Sequence, residues 1–204
     1  AACLEQDYPV AGVTRHQLLY DRRIPFTANN SSNVIHLLAP AAARTAIFEQ
    51  VAAMVPPQCP EGSDPGLCVA VPEQVQGASF GQRCQREVVQ VSLALETAAG
   101  RDILLKSLAG TPSGVIGALA GVCLAASGND GRFVQTGHIR DLSGRVSLPE
   151  IFDAGIARVI MEDGTEVHTG VVETGGKLRP ALRDHQATLY VRLLEPDVWE
   201  ALKV

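Results

Sequence analysis

The stretch AGTPSGVIGALAGVCLAAS, residues 109–127, constrains the fold more than any other part of the chain. From Gly114 to Ala126 it reads as a helix made almost wholly of Gly, Ala, Val, Leu and Ile. A helix that is apolar all round is a buried helix. Gly117 and Gly121, one turn apart, would let it lie close against a strand. The sequence therefore predicts a layered protein, α/β to α+β, with helices on the faces of a mixed sheet. The segment just before the helix, Gly110-Thr111-Pro112-Ser113-Gly114, has two readings. It is plain packing, or it is a loop whose backbone N–H groups converge on a phosphate or carboxylate, aided by the Thr111 and Ser113 hydroxyls and the helix dipole. It is not a Walker A loop, because no Gly-Lys-Ser/Thr follows.

Around this helix the chain alternates. After Pro9 a strand-like run, VAGVTRHQ, leads to a turn-prone Asp-Arg-Arg. The polar cluster Thr27 to Asn33 precedes a short buried strand, VIHLLA. Residues 40–55 form an amphipathic helix with its proline at the start. CVAVP reads as a strand, residues 81–98 as a helix, and RDILLKSLA as a short helix or turn. From residue 141 to 204 the character becomes β-rich. Ser147, Pro149 and Glu150 mark a short capped helix. Asp163-Gly164 marks a hairpin between alternating runs, and PDVWEALKV closes the chain as a short helix.

Composition excludes several classes. The chain has 204 residues, 17 Lys and Arg against 22 Asp and Glu, and a formal net charge of −5. That balance argues against a broad nucleic-acid surface, which needs clustered cations, although Arg15, His16, Arg22 and Arg23 form a local basic patch. No apolar run reaches the roughly 20 residues of a membrane span, so no membrane partner is expected. Five cysteines without a C-x-x-C pair read as reduced thiols of a cytoplasmic protein; Cys59 and Cys68 are the one pair placed to bridge. No metal-ligand spacing is present. Association with further copies of the chain is compatible with this sequence.

The remaining polar residues carry weaker signals. Asn and Ser in Asn29 to Asn33 are good turn formers, and Asn30, Ser31 and Ser32 are also candidates for contacting a ligand's hydroxyls or phosphates. His138 lies beside Arg140, and the pair could serve a phosphate. His16, His36, His168 and His185 are scattered and read as surface or hydrogen-bonded histidines. Asp130, Asp141, Asp153 and Asp163 fall in turns or helix starts, which accounts for them without chemistry.

Taken in order, these clusters resemble the N-terminal half of the archaeal agmatinylcytidine synthetase family that modifies isoleucine tRNA. Ile24-Pro25-Phe26 ahead of Asn29 to Asn33, the loop Ser63-Asp64-Pro65-Gly66-Leu67, the run Gly114-Val115-Ile116-Gly117-Ala118-Leu119-Ala120-Gly121-Val122 and Arg140 carry the similarity, over roughly residues 8–140. The resemblance implies an ATP- and Mg²⁺-using, kinase-like domain over residues 1–140, with a ferredoxin-like insertion at about 40–100. The family's Asp-Asp-Thr-Asp-Ser motif is absent, and the expectation is that it would precede Ala1. Its Lys-Thr-Arg-Gly-Asn loop is replaced by Thr27 to Ser31, and its zinc ribbon and tRNA-binding region have no counterpart. Phosphoryl transfer to a small molecule, rather than to tRNA, is thus the expected reaction. In it Gly110, Thr111, Ser113 and Gly114 cradle phosphates, Asn30, Ser31 and Ser32 orient nucleotide or acceptor, and Arg140 offsets charge on the transferred group. A non-catalytic nucleotide- or phosphate-binding module, or a protein related to tRNA modification, is the alternative.

Overall fold

The computed structural model describes residues 1–25 and 29–203, so Phe26, Thr27 and Ala28 lie outside the described residues. A one-turn helix, α1 (Ala2–Glu5), leads into strand β1 (Val10–Gln17), which pairs antiparallel with β2 (Ser31–Leu37). Ser31, Ser32 and Asn33 therefore belong to a strand, where a polar turn was expected. Helix α2 (Arg44–Met54) follows a 3₁₀ turn at Ala41–Ala43, and β3 (Gly66–Val69) comes next. The helix expected at 81–98 is broken. After α3 (Pro72–Val75) come α4 (Phe80–Cys84) and α5 (Val91–Ala99). Between them Gln85 turns its amide to Gln17 O and Asp130 Oδ2, and the β-branched pair Val88-Val89 propagates a helix poorly.

RDILLKSLA is not a helix. Asp102 takes a left-handed conformation (φ 53°), and the residues after it form β4 (Leu104–Ser107), in register with β3 from Gly66↔Ser107 to Val69↔Leu104. Residues 40–107 thus hold α2 to α5 and the two-stranded sheet β3–β4. The small-residue helix α6 (Gly114–Ala126) is central, with Leu119, Ala120 and Leu124 fully buried. A Cβ on Gly121 would sit 2.2 Å from Ser32 Oγ and 3.1 Å from Val34 Cγ2, so this glycine sets the approach of α6 to β2. Gly117 meets only Leu18 Cδ1 at 3.5 Å, an ordinary contact.

Strand β5 (Arg132–Gln135) returns beside β1, and β6 (Arg145–Ser147) runs into α7 (Leu148–Asp153). The cap of α7 forms as the sequence indicates, with the Ser147 and Glu150 side chains each bonded to the other's backbone N–H. β7 (Arg158–Met161) ends in a turn at Glu162 to Gly164, closed by Met161 N to Thr165 O. The expected hairpin forms with one bridge, Ile160↔Glu166, flanked by Met161 N to Thr165 O and Val167 N to Val159 O, while β7 gives its other edge in parallel to a later strand. β8 (Val171–Glu173), β9 (Ala181–Arg183), β10 (Gln186–Glu195) and β11 (Val198–Ala201) complete the fold. Residues expected as a terminal helix, PDVWEALKV, contribute β11. Asp197 (φ 59°) makes the tight turn, and Trp199 lies opposite Leu193 with its indole N–H donating to Thr169 O.

The main sheet is mixed, in the order β2-β1-β5-β9-β10-β11-β8-β6, with β7 on β10. Thr188 of β10 pairs with both β9 and β7, and Val191 pairs with both β7 and β11. A strand has two edges, so β9 and β11 occupy one edge of β10 in succession while β7 holds the other. The protein is an α+β fold. One apolar core gathers around α6, and another lies between α7 and the strands that follow it. Phe133, Leu182 and Ala187 form a smaller cluster in between. No helix of the described residues is long and apolar enough to cross a membrane.

Candidate functional site

The glycine loop holds an anion, but one supplied by the protein. The Thr111 amide donates to Asp64 Oδ1 at 2.6 Å and the Thr111 hydroxyl to Asp64 Oδ2 at 2.5 Å. These two bonds keep the Asp64 carboxyl below its ordinary pKa. Gly110 lies against the same carboxylate, and a Cβ on Gly114 would sit 1.9 Å from Asp64 O and 2.6 Å from Gly66 N. The small residues at 110–114 thus make room for the loop 63–66. Two of the segments singled out in the sequence do meet here, and their meeting fills the seat expected for phosphate.

The other expected ligand contacts are dispersed. Asn30 spends its amide on Leu19 O at 2.8 Å. Ser31 Oγ accepts from Arg15 Nε at 3.1 Å, on the sheet face opposite to Ser32, so the two hydroxyls cannot serve one ligand. Ser32 touches α6 at Gly121, seven residues and roughly 10 Å along the axis from the glycine loop. Arg140 is exposed, lies in a turn, and donates through Nε to Val134 O of β5 at 2.8 Å. These residues do not compose a nucleotide site. Among the described residues no three His, Cys, Asp or Glu side chains converge for a metal ion.

A different set does converge. Thr14 and His16 are two apart on β1 and share the face turned to α6; across the ladder His16 lies opposite Ser32 and Thr14 opposite Val34, with His36 on the diagonal. His16 Nδ1 and Asp130 Oδ1 are 2.8 Å apart, Thr14 Oγ1 and His16 Nε2 are 2.8 Å apart, and Thr14 Oγ1 and His36 Nε2 are 2.8 Å apart. Gln85 Nε2 donates to the second Asp130 oxygen, also at 2.8 Å. Gly131 makes this possible, since a Cβ there would meet His16 Nδ1 at 2.6 Å. Thr14 and His16 are 0% exposed, whereas the Asp130 side chain is 25% exposed. The chain of bonds therefore enters from the surface at Asp130, passes two buried groups and emerges at His36.

Proton counting sets the direction of the first bond, and the tautomer of each ring sets the other two. A carboxylate only accepts, so His16 Nδ1–H donates to Asp130. Burial raises the Asp130 pKa, but bonds from His16 and Gln85 and the nearby charges of His16 and Arg183 outweigh it and hold the carboxyl low. Burial, then the proximity of His16 and His185, lowers the pKa of His36 and favours its neutral form. The hydroxyl of Thr14 has one proton to give, so in the form in which both rings are neutral it donates to His16 Nε2 and accepts from His36 Nε2–H. His36 Nδ1 then carries a lone pair, and it has no partner among the described residues.

His36 lines a groove of about 770 Å³, well within the size of small-molecule sites. Its floor is α6, at Ala118, Val122 and Ala126. β2 lines it from one sheet and β3 from the other, and each is the last strand of its sheet on that side. Most of the lining is apolar, with His36, His185, Ser32 and Thr136 among the polar exceptions. All five cysteines are free thiols, Cys59 and Cys68 included. Burial pushes Cys84 up to about 12 and Cys123 up to about 11, which removes both as nucleophiles.

Sequence reasoning set His16, His36 and Asp130 aside one by one. The available signal was parity: Thr14 and His16 stand at alternate positions of one strand, and His36 interrupts an apolar strand. What could not be read was the register that brings them together. No protein-family model, curated protein or solved structure matches the chain.

Proposed function

We propose that the groove binds a small organic molecule bearing a hydroxyl, and that His36 takes the hydroxyl proton as general base. The observation that carries this reading is the unbroken run of 2.8 Å hydrogen bonds from Asp130 through His16 and Thr14 to His36, two of its members fully buried. A proton accepted at His36 Nδ1 is matched by transfer of its Nε2 proton to Thr14 Oγ1 and of the Thr14 proton to His16 Nε2. The imidazolium so formed at His16 is held by Asp130. The lowered pKa of His36 keeps it available as a base near neutral pH.

ATP- and Mg²⁺-dependent phosphoryl transfer, the reaction that the sequence resemblance implies, would use such a base toward its acceptor hydroxyl. Its phosphate cradle at residues 110–114 does not fit, since Asp64 occupies the donors, and no nucleotide step is included here. A cytoplasmic location accords with the five free thiols.

The test is a screen of small hydroxylated compounds followed by NMR of the histidine Cε1–H signals. Binders are expected to move the His36 signal and to lose affinity in H36Q. Binders that leave His36 untouched would remove the assignment.

A further inference from the structure

β2 and β3 each turn an edge to the groove, from opposite sides of α6. Residues 32–41 and 66–72 line it without a gap. Successive side chains of a strand point to opposite faces, so a groove lying on a face would meet every other residue. An unbroken run marks the edge itself. α6 packs against both strands, whose other edges are taken by β1 and β4. β2 and β3 do not pair with one another.

The phase of each ladder fixes which backbone groups are offered. Leu18 N donates to Asn30 O, so the alternation of the ladder turns Ser32 and Val34 toward β1, and Asn33 and Ile35 toward the groove. Leu108 N donates to Pro65 O, which turns Leu67 and Val69 toward β4, and Cys68 toward the groove. A single sheet edge is an ordinary feature. Here two edges stand on either side of one apolar floor, Ala118, Val122 and Ala126, and form the two walls of a slot for a strand.

We infer that a short peptide binds in extended form between β2 and β3. An extended polypeptide carries donors and acceptors along both of its edges, which is what two such walls require. β3 contributes four residues and β2 seven, so the occupant is about five residues long, roughly 17 Å of strand. Ile47 and Val51 of α2 also line the slot and suit apolar side chains. No described lining residue is acidic, in a chain with 22 Asp and Glu, whereas Arg44, His36 and His185 are present. A neutral or acidic peptide fits that balance and a basic one does not. The slot itself depends on the two edges; the inference rests on the groove reading in naming a serine or threonine hydroxyl as the group that meets His36.

The test is titration of acetyl-Thr-Val-Ser-Val-Thr-amide into the isotope-labelled protein, followed by amide NMR and hydrogen exchange. One peptide is expected per chain, with slowed exchange at Asn33, Ile35 and Cys68. N-methylation of the two valines, or of the serine and last threonine instead, should each weaken binding about tenfold or more, because a strand held on both sides uses every amide. Lysine in place of the central serine should weaken it as well. No saturable binding at millimolar peptide, unchanged affinity after either N-methylation, or protection of β2 without Cys68 overturns the two-walled slot. A free protein already dimeric with these amides protected overturns it too, by giving the slot to a second copy. The two readings fail separately. If acetyl-Ala-Val-Ala-Val-Ala-amide binds as well as the hydroxylated peptide and H36Q changes neither, the slot stands and the His36 assignment falls. If small hydroxylated compounds shift the His36 signal while no peptide binds, the slot falls and the His36 assignment stands.

Discussion

Replacing Thr14 with valine removes one hydroxyl and leaves the shape of the side chain nearly unchanged, which makes it the sharpest probe of the relay. Two hydrogen bonds of 2.8 Å disappear together. The partners are not equally affected. His16 is 0% exposed, so its Nε2 is stranded with no access to water, while His36 borders the groove and can be hydrated. A buried polar atom left unsatisfied costs about 1–3 kcal/mol, and only one of the two is fully buried, so the expected loss is about 2 kcal/mol. For a chain of this length that corresponds to a fall in Tm of about 4–8 °C. Thr14→Ser keeps the hydroxyl and loses only a methyl group, at about 1 kcal/mol. Urea unfolding of both variants provides the stabilities, and NMR titration of His36 provides the coupling. A Thr14→Val protein as stable as the parent, or a Thr14→Ser protein as damaged as Thr14→Val, would refute the chain of bonds.

Further outcomes are expected. Stability should decline as pH falls below about 6.5, because the unfolded chain protonates His36 at its ordinary value of 6.5 while the folded protein resists; Asp130, whose folded pKa is depressed below 3.8, adds a second loss only as pH falls through that lower value. Urea midpoints across pH 3–7 check both. Asp130→Asn should lower the His36 pKa further, since a relay backed by a negative charge accepts a proton more readily; a purely structural Asp130 would shift the melting temperature and leave the His36 titration in place. Gly121→Ala puts a methyl 2.2 Å from Ser32 Oγ, and should cost about 1–3 kcal/mol by thermal melting despite the better helix propensity of alanine. Gly114→Val meets the Asp64 and Gly66 main chain at 1.9 and 2.6 Å, where nothing can yield, and circular dichroism should show a protein that has lost more than about 3 kcal/mol or does not fold.

Legibility in the sequence followed the range of the forces involved. The α7 cap and α6 are local: Ser147 and Glu150 satisfy one another within a turn, and an all-apolar small-residue run can only be buried. Leu104–Ser107 read as helix or turn, and Val198–Ala201 as helix, because neither segment names its partner; their strand conformation is set by β3 in one case and by β8 and β10 in the other. Asp102 and Asp197, both left-handed, end the preceding element, and aspartate at such positions looks like any other turn residue. The same limit governed the site. Gly110 and Gly114 suggested an open seat, whereas the space they create belongs to Asp64, 46 positions before Gly110. His16 and Asp130 are joined across 114 positions of sequence, a distance that no local pattern spans.

Strand β10 gives one edge to β9 at its start and to β11 at its end. Each branch of the sheet is thereby templated by the same ten residues, and neither can detach without stripping hydrogen bonds from the strand the other depends on. The halves are accordingly coupled in unfolding: one melting transition is the natural behaviour of this molecule, and the amides of Leu189 to Val191 should be among the last to exchange with solvent.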